Sequence, residues 1–365
     1  MDNEQARALL KKYNSGQCTE DEQALIEQSF FAFNEQDIEV SFEKLKSIKK
    51  QIATELPKPE AKMSFLKISV AISTAAAIVA FAIYLFTPRY ENNIDKSLEI
   101  AGKIFSKGNV AVITLSDGKT IELDKTKVGI MVDGSNIIYN DGSKITAANP
   151  TAYQSISTPK GGEYKIVLSD GTKVWLNAAT VLQYPTSFRD RTERRVKLVS
   201  GEAYFEVAKD KDHPFIVASR NQDLTVLGTH FDVNTYESTV KTTLLEGSVK
   251  LNLNGKNDSL KLAPGEQSAT SGTSFEKSEA DLGINLAWRN GKIKFRNKDI
   301  KSILQEAERW YNIKVEYENG MPNIHLTGGI SRKSSLATLL KLLQMSGIDF
   351  TMKEEQDIKV LIIRS

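Results

Sequence analysis

The side chains that most often bind metals or act as nucleophiles are few in this sequence and far apart. Three histidines, His213, His230 and His325, are dispersed among strand-like segments and show none of the helical pairing typical of zinc sites. The single cysteine, Cys18, is either a reactive thiol or a small half-buried residue at a helix end, and it has no partner for an intramolecular disulfide. We expect no metal site and no cofactor.

Catalytic motifs are also missing. The sequence has no G-x-S-x-G, no H-E-x-x-H and no glycine-rich dinucleotide loop. Gly118-Lys119-Thr120 resembles the end of a phosphate-binding loop, but position 113 is isoleucine where that motif requires glycine. The chain is therefore not expected to be an enzyme that acts on a separate substrate.

Charge and aromatic residues do not indicate a particular ligand. The 48 Lys and Arg nearly balance the 46 Asp and Glu, and the net charge of +2 gives no overall field that would attract nucleic acid. The basic cluster at 189–197 fits an acidic partner or a solvated hairpin edge equally well. Trp175, Trp288 and Trp310 lie in apolar patterns and fit core positions better than a sugar-stacking platform.

An apolar run near the N-terminal end divides the chain. Residues 68–86 carry no charge, and a helix over 65–86 would be about 33 Å long, enough to cross a hydrocarbon core of about 30 Å. Lysines are denser before the run than after it, which places the N-terminus in the cytosol. A signal peptide would start within the first few residues, whereas a long polar segment comes first here. We predict one transmembrane helix.

The segment before this run, 1–62, has the pattern of a small all-α domain. Thr19 and Glu22 form a capping box, and apolar residues recur every three or four positions between Phe42 and Leu56. Three short amphipathic helices make a thin core, so a partner that covers their apolar faces is expected. The alternative is a simple spacer next to the membrane.

Beyond Pro88 the pattern changes to the alternation of strands. It predicts an all-β roll or sandwich over 100–275, with tight turns at the Asp-Gly pairs 117–118, 133–134, 141–142 and 170–171. The stretch "TLSDGKTIELD" at 114–124 is echoed by "VLSDGTKVWLN" at 167–177. The echo indicates similar hairpins and favours one continuous domain.

Helical spacing returns in the last part of the chain, with one apolar stripe from Ile300 to Tyr311 and a second from Leu336 to Leu343. It predicts a C-terminal α+β domain over 288–363, built from two βαβ-like units with right-handed crossovers. Asn297 is expected to cap the first helix, a residue near Ser334 the second, and Gly347 should end it. Such a domain has sheet edges that a partner strand could extend, although covered edges are equally common.

Four segments in order carry a family resemblance: "TPKGGEYKIVLSDGTKVWLNAATVLQYPTSF", "RRVKLVSGEAYFEVAKDKDHPFIV", "LTVLGTHFDVNTY" and "TLLEGSVKL". Over about 155–270 the chain resembles the FecR family of transmembrane sigma regulators. The tail, about 290–362, is similar to the domain that often ends such proteins, which is similar in turn to the short signalling domain of secretins and outer-membrane transducers.

The resemblance implies a signalling relay across the cell envelope. A TonB-dependent outer-membrane transporter would contact the C-terminal domain in the periplasm, and the cytosolic helices would control an extracytoplasmic-function sigma factor without touching nucleic acid. The chain would cross the inner membrane once. The implied sigma-factor contacts are Leu25, Ile26, Phe30, Phe42 and Leu45, and the implied transporter contacts are Ile324, His325 and Leu326. Whether control is negative or positive stays open.

The resemblance also implies a chemical step. Some family members cut themselves at a Gly-Thr pair, and Gly228-Thr229 stands at the matching position. The Thr229 hydroxyl would attack the Gly228 carbonyl in a strained turn, and water would open the resulting ester. The alternative for such a pair is an ordinary β-bulge.

Two other function classes remain open. A membrane-tethered scaffold of the periplasm would explain the strands and the α+β domain but would not need a cytosolic partner site. An envelope protein acting on carbohydrate would need paired carboxylates in a cleft, and no such pair can be assembled from the sequence.

Overall fold

The computed structural model describes residues 93–133, 136–147 and 152–364. The predicted cytosolic domain at 1–62 and the predicted membrane helix at 65–86 lie outside these residues. Within them, no helix combines the length and the apolar composition needed to span a bilayer. From Ile94 onward the chain forms a single compact unit.

Alternating polar and apolar residues form two large sheets. The first sheet has eleven described strands: β1 (Gly108–Asn109), β4 (Ile130–Val132), β5 (Asn136–Tyr139), β6 (Lys144–Ala147), β8 (Gly162–Val167), β9 (Lys173–Leu176), β12 (Glu202–Glu206), β15 (His230–Asn234), β16 (Val240–Glu246), β19 (Glu266–Thr270) and β20 (Phe275–Glu279). Their order is β20-β19-β16-β15-β12-β9-β8-β4-β5-β6, and β1 also pairs with β8.

The second sheet has nine described strands: β2 (Val112–Thr114), β3 (Thr120–Glu122), β7 (Tyr153–Ser157), β10 (Val181–Pro185), β11 (Arg194–Ser200), β13 (Phe215–Ser219), β14 (Gln222–Val226), β17 (Val249–Leu253) and β18 (Ser259–Leu262). Their order is β18-β17-β14-β13-β11-β10-β7-β2-β3. Most neighbours are antiparallel, but β11 runs parallel to β13, and β4 and β1 run parallel to β8.

The two sheets pack face to face around one core. Phe205 and Phe231 from the first sheet stack with ring centroids 5.0 Å apart, and Leu182 and Val217 from the second sheet are buried in the same cluster. Because side chains alternate along a strand, central strands such as β8 send every second residue into this core. The predicted all-β domain is thus a sandwich.

The two echoing segments form equivalent turns in opposite sheets. In each, the glycine after the aspartate has a positive φ, +86° at Gly118 and +85° at Gly171. In each, an Asp side chain accepts a hydrogen bond from the backbone N–H two residues later, Asp117 from Lys119 and Asp170 from Thr172. The first turn joins β2 to β3 and the second joins β8 to β9. The strands of 108–147 therefore extend both sheets of the same sandwich.

The C-terminal module, residues 292–364, contains five strands and two helices: β21 (Lys292–Asp299), α3 (Ile300–Tyr311), β22 (Lys314–Glu318), β23 (His325–Ser331), α4 (Leu336–Met345), β24 (Asp349–Glu355) and β25 (Ile358–Arg364). Two further helices precede it, α1 (Asn93–Gly102) and α2 (Leu282–Asn285), and a 3-10 turn covers Trp288–Asn290. The predicted apolar faces of α3 and α4 are buried in the module's core.

The topology of this module differs from the predicted βαβ units. β21 pairs antiparallel with β23, whereas β22 pairs parallel with β25, and β25 pairs antiparallel with β24. The two strands that flank each helix thus lie in different sheets, so neither α3 nor α4 bridges two neighbouring parallel strands as in the predicted βαβ units. Hydrophobic spacing gives the order of elements but does not say which strands pair.

One of the predicted helix caps is wrong. Asn297 lies inside β21 at a register shift, with a φ of +44°, and does not cap α3. Asp299 is the cap, because its carboxylate accepts hydrogen bonds from the N–H and the hydroxyl of Ser302 at 2.9 and 2.8 Å. In the second helix Ser335 occupies the N-cap position without a side-chain cap hydrogen bond, and the helix ends at Met345, two residues before Gly347, where φ is +80°.

Helix α1, although distant in sequence, belongs to the core of the C-terminal module. Ala101 is fully buried among residues of α3 and α4, and Ile104 just after the helix is buried beside it. The Leu336 N–H donates to the Ile104 carbonyl at 2.9 Å, and the Met352 N–H donates to the Ser97 hydroxyl at 3.0 Å. The module is therefore completed by residues from both ends of the described chain.

Candidate functional site

The predicted Gly228-Thr229 pair lies in the short turn between β14 and β15. Gly228 has a φ of +151°, and a Cβ at this position would lie 2.6 Å from the side chain and 2.8 Å from the Cα of Lys209. Only glycine fits there without a shift of the backbone. The turn is therefore both tight and conformationally restricted.

Thr229 is buried at this turn. Its hydroxyl donates to the Ser248 carbonyl at 3.2 Å, and its own carbonyl accepts from the Val207 N–H at 3.1 Å. A register shift follows directly, between His230 and Phe231. The pair thus stands next to a β-bulge, which is the ordinary reason for a Gly-Thr pair in a strand turn. The predicted cleavage at this pair stays a prediction.

The predicted transporter contacts lie at the start of β23. His325 and Leu326 pair with β21, and the Ile324 carbonyl accepts from the Ile300 N–H at 3.0 Å. His325 is exposed, whereas its two neighbours are half-buried. The predicted sigma-factor contacts, Leu25, Ile26, Phe30, Phe42 and Leu45, lie outside the described residues.

A polar cavity of about 450 Å³ lies where the C-terminal module and the segment before it cover the outer face of the first sheet. The sheet contributes outward-facing residues of β12, β15, β16 and β19, and the other walls come from α2, the 3-10 turn, β21 and α3. Two buried carboxylates, Glu202 and Asp232, lie on the sheet side of this cavity.

Amide and indole groups hold the two carboxylates. Glu202 accepts from the side-chain amides of Asn177 at 2.5 Å and Asn234 at 2.6 Å. Asp232 accepts from the indole N–H of Trp288 at 3.3 Å. Burial raises the pKa of both carboxyls, and the charge of Glu202 raises the pKa of Asp232 further.

Arginine side chains join the walls of the cavity. The Arg332 guanidinium stacks on Trp310 with 3.7 Å to the ring centroid, and it donates to Glu163 at 2.9 Å and to Asn177 at 2.6 Å. Arg289 lies over Trp175 and Tyr204 and donates to Glu206 at 2.5 Å. These contacts fasten the C-terminal module and the preceding segment to the sandwich.

The tryptophans thus have structural roles, partly as predicted. Trp310 is in the core of the C-terminal module, and Trp288 is buried in a small cluster with Tyr204 and Leu286. Trp175 is half-buried under the Arg289 and Lys165 side chains. None of the three offers an open face for stacking a sugar ring.

The basic cluster at 189–197 is largely committed to structure. Arg194 is buried, pairs with Asp170 at 2.8 Å and donates to the carbonyls of His213 and Ala208. Arg195 pairs with Glu193 and Asp223. Arg194 thereby anchors the second of the two echoing Asp-Gly turns, and this role could not be read from the run of charges.

The carboxylate pair was not foreseen from the sequence, although part of the signal is present. Alternation in β12 and β15 places Glu202 and Asp232 on the face opposite the core. A polar residue on that face normally meets solvent. Nothing in the local pattern shows that residues 281–291 fold over it, so the burial of the pair depends on a distant segment.

Among the described residues, no cluster of His, Cys, Asp and Glu has the composition to hold a metal ion. The cavity is bounded by an acid pair, amides and basic side chains, together with polar residues at the start of α3. Such walls can bind a polar or charged molecule.

Comparisons with known proteins agree with this architecture. Residues 154–250 match the family model FecR protein, and residues 292–360 match the model FecR, C-terminal. No curated protein matches the chain.

Two crystal structures from Parabacteroides distasonis ATCC 8503, each described as a "putative anti-sigma factor", are similar to this chain. One, at 2.50 Å resolution, is 31% identical with a TM-score of 0.51, and the match covers 58% of this chain and all of the other. The second, at 1.65 Å, is 32% identical with a TM-score of 0.50, covering 57% and 97%. With the sandwich, the C-terminal module and both family models in agreement, the chain belongs to the FecR family of anti-sigma factors.

Proposed function

We propose that this FecR-family regulator crosses the inner membrane once and relays a signal from a TonB-dependent outer-membrane transporter to a cytosolic extracytoplasmic-function sigma factor. The observation that carries the proposal is the packing of α1 into the core of the C-terminal module. In sequence, α1 follows the apolar run 65–86 within a few residues. The module expected to receive the signal is thus joined to the segment that leads to the predicted membrane helix.

The transporter contact is proposed at the start of β23. Among the described strands, β23 pairs only with β21, and its first residues are exposed or half-buried. A partner strand could extend this small sheet by backbone hydrogen bonds, with Ile324 and Leu326 supplying apolar contacts and His325 a polar one.

The sigma-factor contact is tested with the full chain purified in detergent. We expect it to capture an extracytoplasmic-function sigma factor from the same genome, and we expect Leu25→Asp and Phe42→Asp to lose this capture because a carboxylate opposes an apolar contact. Phe105→Asp is the matched control, since Phe105 is 57% exposed in the part of the chain that the structure describes.

Capture that is unchanged in both Asp variants would contradict the proposed contact face. Failure to capture any sigma factor, together with full function after deletion of residues 1–62, would instead support a scaffold in the envelope.

Self-cleavage at Gly228-Thr229 is part of this proposal. The Thr229 oxygen attacks the Gly228 carbonyl carbon, the C–N bond breaks, and the proton passes to the freed nitrogen of Thr229. Water then hydrolyses the ester and leaves a new carboxylate on Gly228. The positive φ of Gly228 and the lack of room for a Cβ beside Lys209 support the proposal, because they show a tight, closely packed turn of the kind that this chemistry requires.

The cleavage is tested on denaturing gels. Wild type and Thr229→Ser are expected to give two fragments and Thr229→Ala one chain, since only the alanine variant lacks a hydroxyl. The fragments should stay together without denaturant, because β12 pairs with β15 and β14 pairs with β17 across the cut. An intact wild-type chain, or two fragments from Thr229→Ala, would refute the proposed chemistry.

A further inference from the structure

The acid pair in the cavity is only partly compensated by positive charge. Glu202 and Asp232 are 8% and 3% exposed. In the described part of the chain, the side-chain donors to them are two amides and one indole, and neither carboxylate forms an ion pair. Buried carboxylates in proteins are normally paired with a cation or neutralised by a proton. Arg332 lies near enough to Glu202 to oppose part of the pKa rise that burial causes, whereas no cation of the described residues acts on Asp232 in this way, and the pKa of Asp232 is raised well above its usual range.

The cations around the cavity are engaged with other groups. Arg332 pairs with Glu163, Lys298 pairs with Glu306, and Arg309 lies over the Tyr236 ring at 4.1 Å. None of these three is directed at Glu202 or Asp232. Neutralisation by a nearby side chain would require breaking one of these contacts.

One oxygen of Asp232 has no hydrogen-bond donor among the described residues. The Trp288 indole N–H reaches Oδ1, and Oδ2 has no counterpart, although Asp232 lines a cavity large enough for a small molecule. A carboxyl group that is almost wholly buried and faces open space attracts a donor that carries positive charge, because such a donor stabilises the ionised form that burial disfavours.

We propose that this cavity binds a small organic cation, a protonated primary amine, with its ammonium group between Asp232 and Glu202. An ammonium group supplies three donors and one positive charge, which together satisfy the free oxygen and offset the repulsion between the two carboxylates. A neutral polyol would supply donors without the charge. An anion would be repelled by the pair.

The bound amine would contact both parts of the structure. Glu202 and Asp232 lie on β12 and β15, whereas the opposite wall is formed by β21 and α3 of the C-terminal module. A ligand here would strengthen the docking of this module against the sandwich. The inference goes beyond the proposed relay, because it assigns a ligand to the regulator itself.

The probe is cadaverine, titrated by calorimetry into the full chain in detergent micelles, with 1-pentanol and sorbitol as neutral comparisons. We expect saturable one-to-one binding of cadaverine alone. Asp232→Asn keeps the shape and removes the charge, and it should weaken binding by about tenfold or more, the usual effect of losing one charged hydrogen bond. Glu276→Gln, an exposed carboxylate on β20 of the same sheet, should bind like wild type.

Tryptophan fluorescence gives a second readout, because the Trp288 indole donates to Asp232 and should respond to the amine in wild type and much less in Asp232→Asn. Circular dichroism shows that each variant is folded. The proposal is overturned if folded wild type shows no saturable binding of cadaverine, if Asp232→Asn binds it equally well, or if sorbitol binds as tightly. Neither a sigma factor nor a transporter is present in these experiments, so their outcomes do not test the proposed relay.

Discussion

Replacing Arg332 with alanine should loosen the C-terminal module from the sandwich. Arg332 is 4% exposed, stacks on Trp310, donates hydrogen bonds to Asn177 and Glu163, and lies at a longer distance, 5.8 Å, from the centre of the Trp288 ring. A desolvated cation–π contact contributes about 2 kcal/mol, and a charged hydrogen bond to a buried amide about 1.5 kcal/mol. Glu163 is 38% exposed, so solvent screens its ion pair and we count it at well under 1 kcal/mol.

These contributions predict a loss of about 3–4 kcal/mol in the free energy of unfolding of the module, after some relaxation around the site. The assay is urea unfolding followed by circular dichroism and by tryptophan fluorescence, to which Trp310 contributes together with Trp175 and Trp288. Arg332→Lys keeps the charge but cannot reproduce the planar stacking on Trp310 or the two hydrogen bonds of the guanidinium group. Its free energy of unfolding should therefore lie between those of wild type and the alanine variant.

Arg364→Ala provides the matched control, because Arg364 pairs with Glu318 at the surface of the same module. It should change the free energy of unfolding by less than about 1 kcal/mol. If Arg332→Ala changes stability no more than Arg364→Ala does, Arg332 does not hold the module in place and the assigned energies are wrong.

Three further predictions concern the sandwich, each followed by urea or thermal unfolding of the full chain. Burial raises the pKa of Asp232 well above 3.8, so ionising this carboxyl costs the folded state stability as the pH rises from about 4 through the raised pKa. Asp232→Asn should therefore raise the free energy of unfolding at pH 8, and this gain should vanish towards pH 4. Asp170→Asn should cost about 3 kcal/mol by leaving buried Arg194 unpaired, whereas Asp117→Asn in the exposed copy of the turn should cost under about 0.5 kcal/mol. Similar losses in the two variants would contradict the role of Arg194 in anchoring the second turn. Gly201→Ala should cost about 3 kcal/mol or more, because its Cβ would lie 2.4 Å from the Cα of Thr180. Gly118→Ala has open space around it and should cost about 1 kcal/mol. Equal costs would show that the positive φ alone, and not the close packing, determines the loss of stability.

The elements of this fold were largely predictable because each depends on local sequence. Alternation identified the strands, the Asp-Gly pairs identified turns such as 117–118 and 170–171, and the apolar stripe from Ile300 to Tyr311 identified the buried face of α3. These features require only a side-chain period of 2 or 3.6 and a glycine that accepts a positive φ. The family was recognisable for the same reason, since its segments are contiguous.

Pairing and burial at long range were not predictable. The flanking strands of α3, β21 and β22, look alike in sequence but enter different sheets. Glu202 and Asp232 have the alternation of solvent-facing residues, and their burial arises because residues 281–291 cross the sheet about fifty residues or more later in the chain. A local pattern cannot report which distant segment will cover a face.

The packing of α1 has a consequence for how a signal could leave the C-terminal module. Met352 and Ser97 are joined by a hydrogen bond although 255 residues separate them, and α1 fills the core beside α3 and α4. A helix that completes a core cannot shift without exposing apolar surface, at a cost of roughly 25 cal/mol per Å². A partner that distorts the module's sheets would therefore act on α1 through packed side chains. If the relay works as proposed, cleavage at Gly228-Thr229 would leave α1 and the C-terminal module on different fragments that this core holds together. Separation of α1 from the module would then be the step that releases the signal.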